Sequence, residues 1–216
     1  DLIPPHGGRL LPLGVYGGER EKGIEEAKTL PRVRLNSREM SDLIMLAMGA
    51  FSPLAGFMVR DDYQSVVSEM RLKSGLLWPI PITLSCSMEE AVGLKEGQEV
   101  ALVDPEQDEI VATMSLQEKY PYDKRLEALQ VFGTDDIKHP GVKNIYQQGE
   151  VYLGGTVVAF SEGTYPERFP EFARPRETRA IFAAKGWTSI AAFQTRNPMH
   201  RSHEYLTKIA LEVCDG

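Results

Sequence analysis

Cysteine is scarce in this chain: its 216 residues include only Cys86 and Cys214. Two thiols are too few to staple a fold with disulfides, so the sequence reads as a protein of a reducing compartment. No apolar run approaches the ~20 residues needed to span a bilayer. No basic, then apolar leader opens the chain. Together these absences predict a cytoplasmic protein with no membrane partner. Positive charge is also in deficit, with 24 Lys and Arg against 31 Asp and Glu and a net charge of −7. That balance excludes a protein that coats nucleic acid through a basic face, while leaving room for a local anion pocket. Histidine occurs four times. There is no internal repeat and no low-complexity tract. What remains, 42% hydrophobic and 25% charged residues, is the composition of a globular protein with a core.

The chain changes texture twice. Residues 1–35 are rich in Gly and Pro and read as an extended arm with short strands, such as the one at 32–35. Asn36, with Glu39 three residues on, is a helix-start signal. Met40, Leu43, Ile44 and Ala47 follow at helical spacing, closed by Gly49. A turn-rich loop at 50–57 precedes a helix near 61–70. Strands are then expected at 80–84, with prolines that suggest an edge, and at 99–103 and 110–114 as a hairpin across the Asp104-Pro105-Glu106-Gln107-Asp108 turn. Short helices are expected at 87–92, 123–132 and 141–148. Residues 151–160 read as a strand pair or one long bent strand, with Gly154-Gly155 as a bulge or kink. A Pro- and Gly-punctuated connection at 161–175 leads to a helix at 176–185, a buried-type strand at 188–193 and a helix bearing Met199, Leu206, Ile209, Ala210 and Val213 on one face. The boundary falls near 165, giving a β-rich unit over 1–165 and an alternating α/β unit over 166–216. One strand and two helices cannot bury a parallel sheet, so the second unit is expected to be incomplete.

Chemistry concentrates in Gln194-Thr195-Arg196-Asn197-Pro198-Met199-His200-Arg201-Ser202-His203. The segment lies where the strand at 188–193 should hand over to a helix opening at Pro198, with Asn197 as its cap. Ligands of open α/β sheets bind at such corners, and a helix N-terminus favours anions. Two amide side chains, an arginine fork and two imidazoles at one corner therefore predict a site for an anion or a nucleotide phosphate. His200 and His203, three apart, share a helix face and could suggest zinc. Zinc needs three or four ligands, His6 and His139 are the only other histidines, and the cysteines have no paired spacing. No protein-held metal is expected.

These residues resemble the ATP sulfurylase (sulfate adenylyltransferase) family. The ten-residue run 194–203 looks like that family's signature, and the His-x-x-His element within it is similar to that of the wider nucleotidyltransferase class. The stretches at 49–58 and 77–83, the Gly186-Trp187 pair and Phe193 fit the same family, so the likeness covers essentially the whole chain. One departure is Ser202, where a small residue such as alanine is common.

The resemblance implies a PUA-like β module followed by the start of a Rossmann-like parallel α/β nucleotidyltransferase domain. It implies a reaction in which ATP and sulfate give adenosine 5′-phosphosulfate and pyrophosphate, by direct attack of sulfate on the α-phosphorus. It assigns Thr195, Arg196 and Asn197 as catalytic, and Gln194 and Arg196 to sulfate. Residues Gln194 to Asn197, with His200 and His203, line the ATP site, the histidines contacting its phosphates. Mg²⁺ rides with ATP, the cysteines are structural, and the family is usually homo-oligomeric. A second signature, a Gly-Arg-Asp-His-type loop, is not found in the 216 residues. Two other readings stay open: a His-x-x-His nucleotidyltransferase with a different acceptor, and a non-catalytic chain in which the β module does the work.

Overall fold

The structure, a computed structural model, describes residues 2–216. Its first element corrects the sequence reading of an extended arm, because α1 (Gly17–Ala27) forms there. The helix is weakly patterned and buries only Ala27; tertiary contacts hold it. Arg20 Nε donates to the Phe160 carbonyl at 2.6 Å. Gly23 lies so close to the Phe160 ring that a Cβ would come within 2.6 Å of it. The strand expected at 32–35 appears as β1 (Arg32–Arg34).

The helix-start signal then acts as predicted. In α2 (Ser37–Ala47), Asn36 Oδ1 accepts from Glu39 N and Glu39 Oε2 accepts from Asn36 N, both at 2.9 Å. Two orphan donors are satisfied reciprocally. The 50–57 loop ends in β2 (Gly56–Phe57), and α3 (Arg60–Glu69) follows. The edge strand expected at 80–84 begins four residues late, as β3 (Leu84–Cys86). Pro79 and Pro81 have no N–H to donate, so pairing starts only beyond them. After α4 (Met88–Gly93), β4 (Glu99–Val103) and β5 (Ile110–Pro121) form the predicted hairpin. Asp104 closes its turn by accepting from Glu106 N and Gln107 N. α5 (Lys124–Phe132) and α6 (Pro140–Gln147) precede β6 (Val151–Ala159), one long strand.

The six strands make one mixed sheet in the order β1-β4-β5-β6-β2, with β3 also paired to β6. Only β1 and β4 run parallel within it. Gly154-Gly155 does mark a bulge, but the extra residue, Gln117, lies on β5, between Leu116 and Glu118. The glycines face it because a Cβ on Gly155 would lie 2.1 Å from the Ser115 carbonyl oxygen. Leu43, Leu46, Leu102, Met114 and Leu116 form the centre of the core. No helix among the described residues is long and apolar enough to cross a membrane.

Behind α2 the core contains charge. Glu39 is fully buried, and its Oε1 accepts from Ser85 N and Ser85 Oγ at 2.8 Å. Its cap to α2 is thus also an anchor for β3. One turn on, Arg38 reaches Asp42 at 2.6 Å. Burial pushes the Asp42 carboxyl up from 3.8 to about 6, with Glu39 adding to the rise and Arg38 opposing it. A raised folded-state pKa contributes stability that is full below the unfolded value and is lost as pH rises through about 6. Asp42→Asn cannot ionise. It is expected to flatten the decline in unfolding free energy between pH 4 and 7 by up to about 3 kcal/mol. Urea unfolding at several pH values reads this directly, and parallel profiles for the two proteins would refute it.

Beyond Ala159 the packing changes character. α7 (Tyr165–Arg168), α8 (Pro175–Ala184) and α9 (Arg201–Val213) bury no residue. The strand expected at 188–193 does not form: the segment is exposed and outside any strand. A strand needs a paired neighbour, and all six strands lie between Arg32 and Ala159. The backbone groups that reach 188–193 come instead from the chain's last residues. Asp215 N donates to the Ser189 carbonyl at 3.0 Å, and Ala191 N donates to that of Gly216 at 2.9 Å.

Candidate functional site

The 194–203 segment lies on the stretch that leads into α9, and the start of that helix differs from the expectation. Asn197 is not the cap and Pro198 is not the first helical residue; the helix opens at Arg201 with His200 as its cap. Pro198 biases Asn197 toward extended backbone, and His200 is itself extended, with φ −104° and ψ 160°. The imidazoles then do what an Asx and a Glu do elsewhere. His200 Nδ1 accepts from Ser202 N at 3.3 Å, and His203 Nδ1 accepts from His200 N at 3.1 Å. His200 is therefore the cap itself, and the pair does not share a helix face as the spacing suggested. Both residues nonetheless sit at one helix terminus, and the Phe193 ring lies 5.9 Å from that of His203.

A neutral imidazole with one nitrogen accepting carries its proton on the other. With Nδ1 accepting from a backbone N–H in each case, the neutral ring carries its proton on Nε2, which has no hydrogen-bond partner among the described residues. The start of α9 thus carries two imidazoles where the helix dipole favours negative charge.

The other candidates sit on the approach. Thr195 and Asn197 form a tight local turn: Thr195 Oγ1 accepts from Asn197 N at 3.2 Å and donates to the Asn197 carbonyl at 3.1 Å. Gln194 and Arg196 have no hydrogen-bond or ion-pair partner among the described residues, and residues 188–202 are all exposed. An arginine fork and an amide with no internal partner are available to a ligand oxyanion. No group of three or more His, Cys, Asp or Glu among the described residues is arranged to hold a metal ion. Cys86 is buried and its thiol pushed up to about 11, chiefly by burial, which makes it a poor nucleophile at neutral pH.

Two further groups anchor the chain on the approach to the segment and were not legible beforehand. The Asp215 carboxylate accepts from Thr188 N, Thr188 Oγ1 and Ser189 N at 2.8–3.0 Å, and these bonds hold it down at about 2. The contact spans 26 residues, so no local pattern announces it. Arg174, just ahead of α8, forks onto Glu162 at 2.6–3.0 Å, and its guanidinium lies 5.5 Å from the centre of the Tyr16 ring.

With that geometry in place, the likeness to known proteins is specific. The model of the PUA-like domain matches residues 3–162, and the model of ATP-sulfurylase matches residues 171–215. The chain is 51% identical over 216 residues to the sulfate adenylyltransferase of Desulforamulus reducens, covering all of this chain and 56% of that protein. It is 52% identical over 218 residues to the sulfate adenylyltransferase of Pelodictyon phaeoclathratiforme, covering 54% of it. The chain thus spans about half the length of the curated relatives it matches. A solved structure described as a hexameric APS kinase from Thiobacillus denitrificans superposes with a TM-score of 0.74 at 31% identity, over 98% of this chain and 38% of that one.

Proposed function

Because the chain belongs to the PUA-like domain family across residues 3–162, with the ATP-sulfurylase match following it, we propose that it acts as a sulfate adenylyltransferase. The observation that carries the reading is the pair of capping imidazoles at the start of α9, each with Nε2 unpartnered among the described residues, preceded along the chain by an unpartnered arginine and amide. In the reaction, a sulfate oxygen attacks the α-phosphorus of ATP. The new S–O–P linkage forms as the bond from the α-phosphorus to the bridging oxygen breaks, and pyrophosphate leaves with the electron pair. Both reactants are anions, so the protein contributes position and charge neutralisation more than covalent chemistry.

The roles follow from what each side chain has free. Arg196 supplies a bidentate fork to sulfate, with the Gln194 amide beside it. The Thr195–Asn197 turn fixes the backbone that carries that fork along the nucleotide. His200 and His203 donate through Nε2 to the phosphates, including the oxygens on which charge grows as pyrophosphate departs. The corner consists of nitrogen donors and neutral amides. Mg²⁺ prefers oxygen ligands and retains water, so it would enter with ATP and offset the charge of its phosphates.

The same reading divides the chain into a PUA-like unit at 1–165 and the opening of a Rossmann-like catalytic unit at 166–216, in a cytoplasmic homo-oligomer. The hexameric description of the superposed structure supports the last point. Exchange of labelled pyrophosphate into ATP by the full-length protein tests the function. The exchange is expected to require sulfate; exchange that proceeds without sulfate, or equally well with phosphate in its place, overturns the proposal.

A further inference from the structure

The β-rich body contains a cavity of about 310 Å³ between α2, the 80–83 segment, α5 and α6. Much of its wall is apolar, with Ile80, Ile82, Val131 and Phe132 among the lining residues. Two carboxylates also line it: Asp42 from α2 and Glu127 from α5.

The charged groups around the cavity can be accounted for one by one. Arg38 donates to Asp42 Oδ2 and to the Thr83 carbonyl, so its guanidinium is engaged. Lys124, one turn before Glu127, donates to the Gln148 carbonyl. Glu39 has donors on both oxygens. The Oε2 of Glu127 accepts from Tyr63 and Tyr152, each at 2.8 Å. The Oε1 of Glu127 and the Oδ1 of Asp42 accept from no described residue, although Glu127 is only 5% exposed. Burial raises the pKa of both carboxyls, with Arg38 opposing the rise at Asp42 and the Tyr63 and Tyr152 hydroxyls opposing it at Glu127.

We infer that this cavity binds a small organic cation, a protonated amine or guanidinium borne on a short aryl or alkyl group, with its N–H donors against the free oxygen of Glu127 and its apolar part against Phe132 and Ile80. An anion does not fit, because the one guanidinium on the wall is already paired. A bare metal ion does not fit either, since no group of three metal-ligating side chains is present among the described residues. The volume lies at the small end of ligand pockets.

Benzylamine is the probe, titrated into the full chain by calorimetry, with benzyl alcohol as its neutral isostere. Benzylamine is expected to bind, and benzyl alcohol to bind at least about tenfold more weakly, as the loss of a charge-assisted hydrogen bond implies. Glu127→Gln retains an acceptor for both tyrosines and nearly the same volume; it is expected to weaken benzylamine by a similar factor with an unchanged melting profile. If that variant does not fold, Phe132→Ala, which removes the aromatic wall of the cavity, takes its place and is expected to weaken benzylamine in the same titration. The inference is overturned if benzylamine shows no binding up to about 10 mM, if the alcohol binds equally, or if the folded variant binds as the parent does.

Discussion

Arg196→Ala in the full-length protein is expected to lower sulfate-dependent pyrophosphate exchange by about 10³-fold and to leave the thermal melt in place. The two halves of that expectation have separate grounds. The stability half rests on geometry: Arg196 is exposed and makes no hydrogen bond or ion pair among the described residues. Surface truncations of that kind usually move stability by no more than about 0.5 kcal/mol. The activity half rests on what a free guanidinium at a helix-start corner is available to do, which is to hold a tetrahedral oxyanion by two parallel bonds. The kinetic constants then separate binding from chemistry. If the fork serves mainly to hold sulfate, KM for sulfate rises and kcat survives; if it follows the charge in the transition state, kcat and kcat/KM fall together. Arg196→Lys keeps the charge but loses the fork, and is expected to fall between the two. Unchanged turnover in Arg196→Ala would remove Arg196 from the mechanism, and an unfolded variant would contradict the exposure on which the argument stands.

The parts of the fold that were legible are those where the signal is local. The Asn36–Glu39 box, the Asp104 turn and the β4–β5 hairpin all depend on residues a few positions apart, and they form as read. What misled was context. The apolar run at 188–193 has the composition of a buried strand, yet a strand is defined by its neighbours and none of the six adjoins it. α1 was hidden because its stabilisation comes from Phe160, more than 130 residues away, and not from its own pattern. At the site, the residue types were legible and their roles at the helix start were not. Histidine is an uncommon cap, so the spacing favoured Asn197 before Pro198; the pre-proline restriction and the acceptor nitrogens of His200 and His203 decided otherwise. That shift matters chemically, since the capping bonds engage Nδ1 of both rings and leave each Nε2 without a partner among the described residues.

The second large expectation concerns what holds α8 and α9 to the body. Those helices bury no side chain, so the hydrophobic effect contributes little to their placement. Polar contacts ahead of and along α8 contribute instead: Arg179 donates to the Ile3 carbonyl, and Arg174 makes the larger set. Its guanidinium makes three contacts of 3.0 Å or less with the Glu162 carboxylate, pairs with Glu177 at 3.0 Å and lies over Tyr16. Glu162 is buried, and the pair holds the Arg174 guanidinium well above its usual range. Such a pair is worth less than its Coulomb energy suggests, because both ions were desolvated to form it. Removing one partner is a different matter, since the other is left buried with its charge uncompensated. Arg174→Ala is therefore expected to cost about 3 kcal/mol, read from chemical denaturation, and to speed tryptic cleavage at Arg168 and Arg176. Adding Glu162→Gln to that variant removes the stranded charge and is expected to recover about half of the loss. A double variant no more stable than Arg174→Ala would mean that the stranded carboxylate is not the cause. A single variant as stable and as protease-resistant as the parent would mean that the fork does not hold the site-bearing helices.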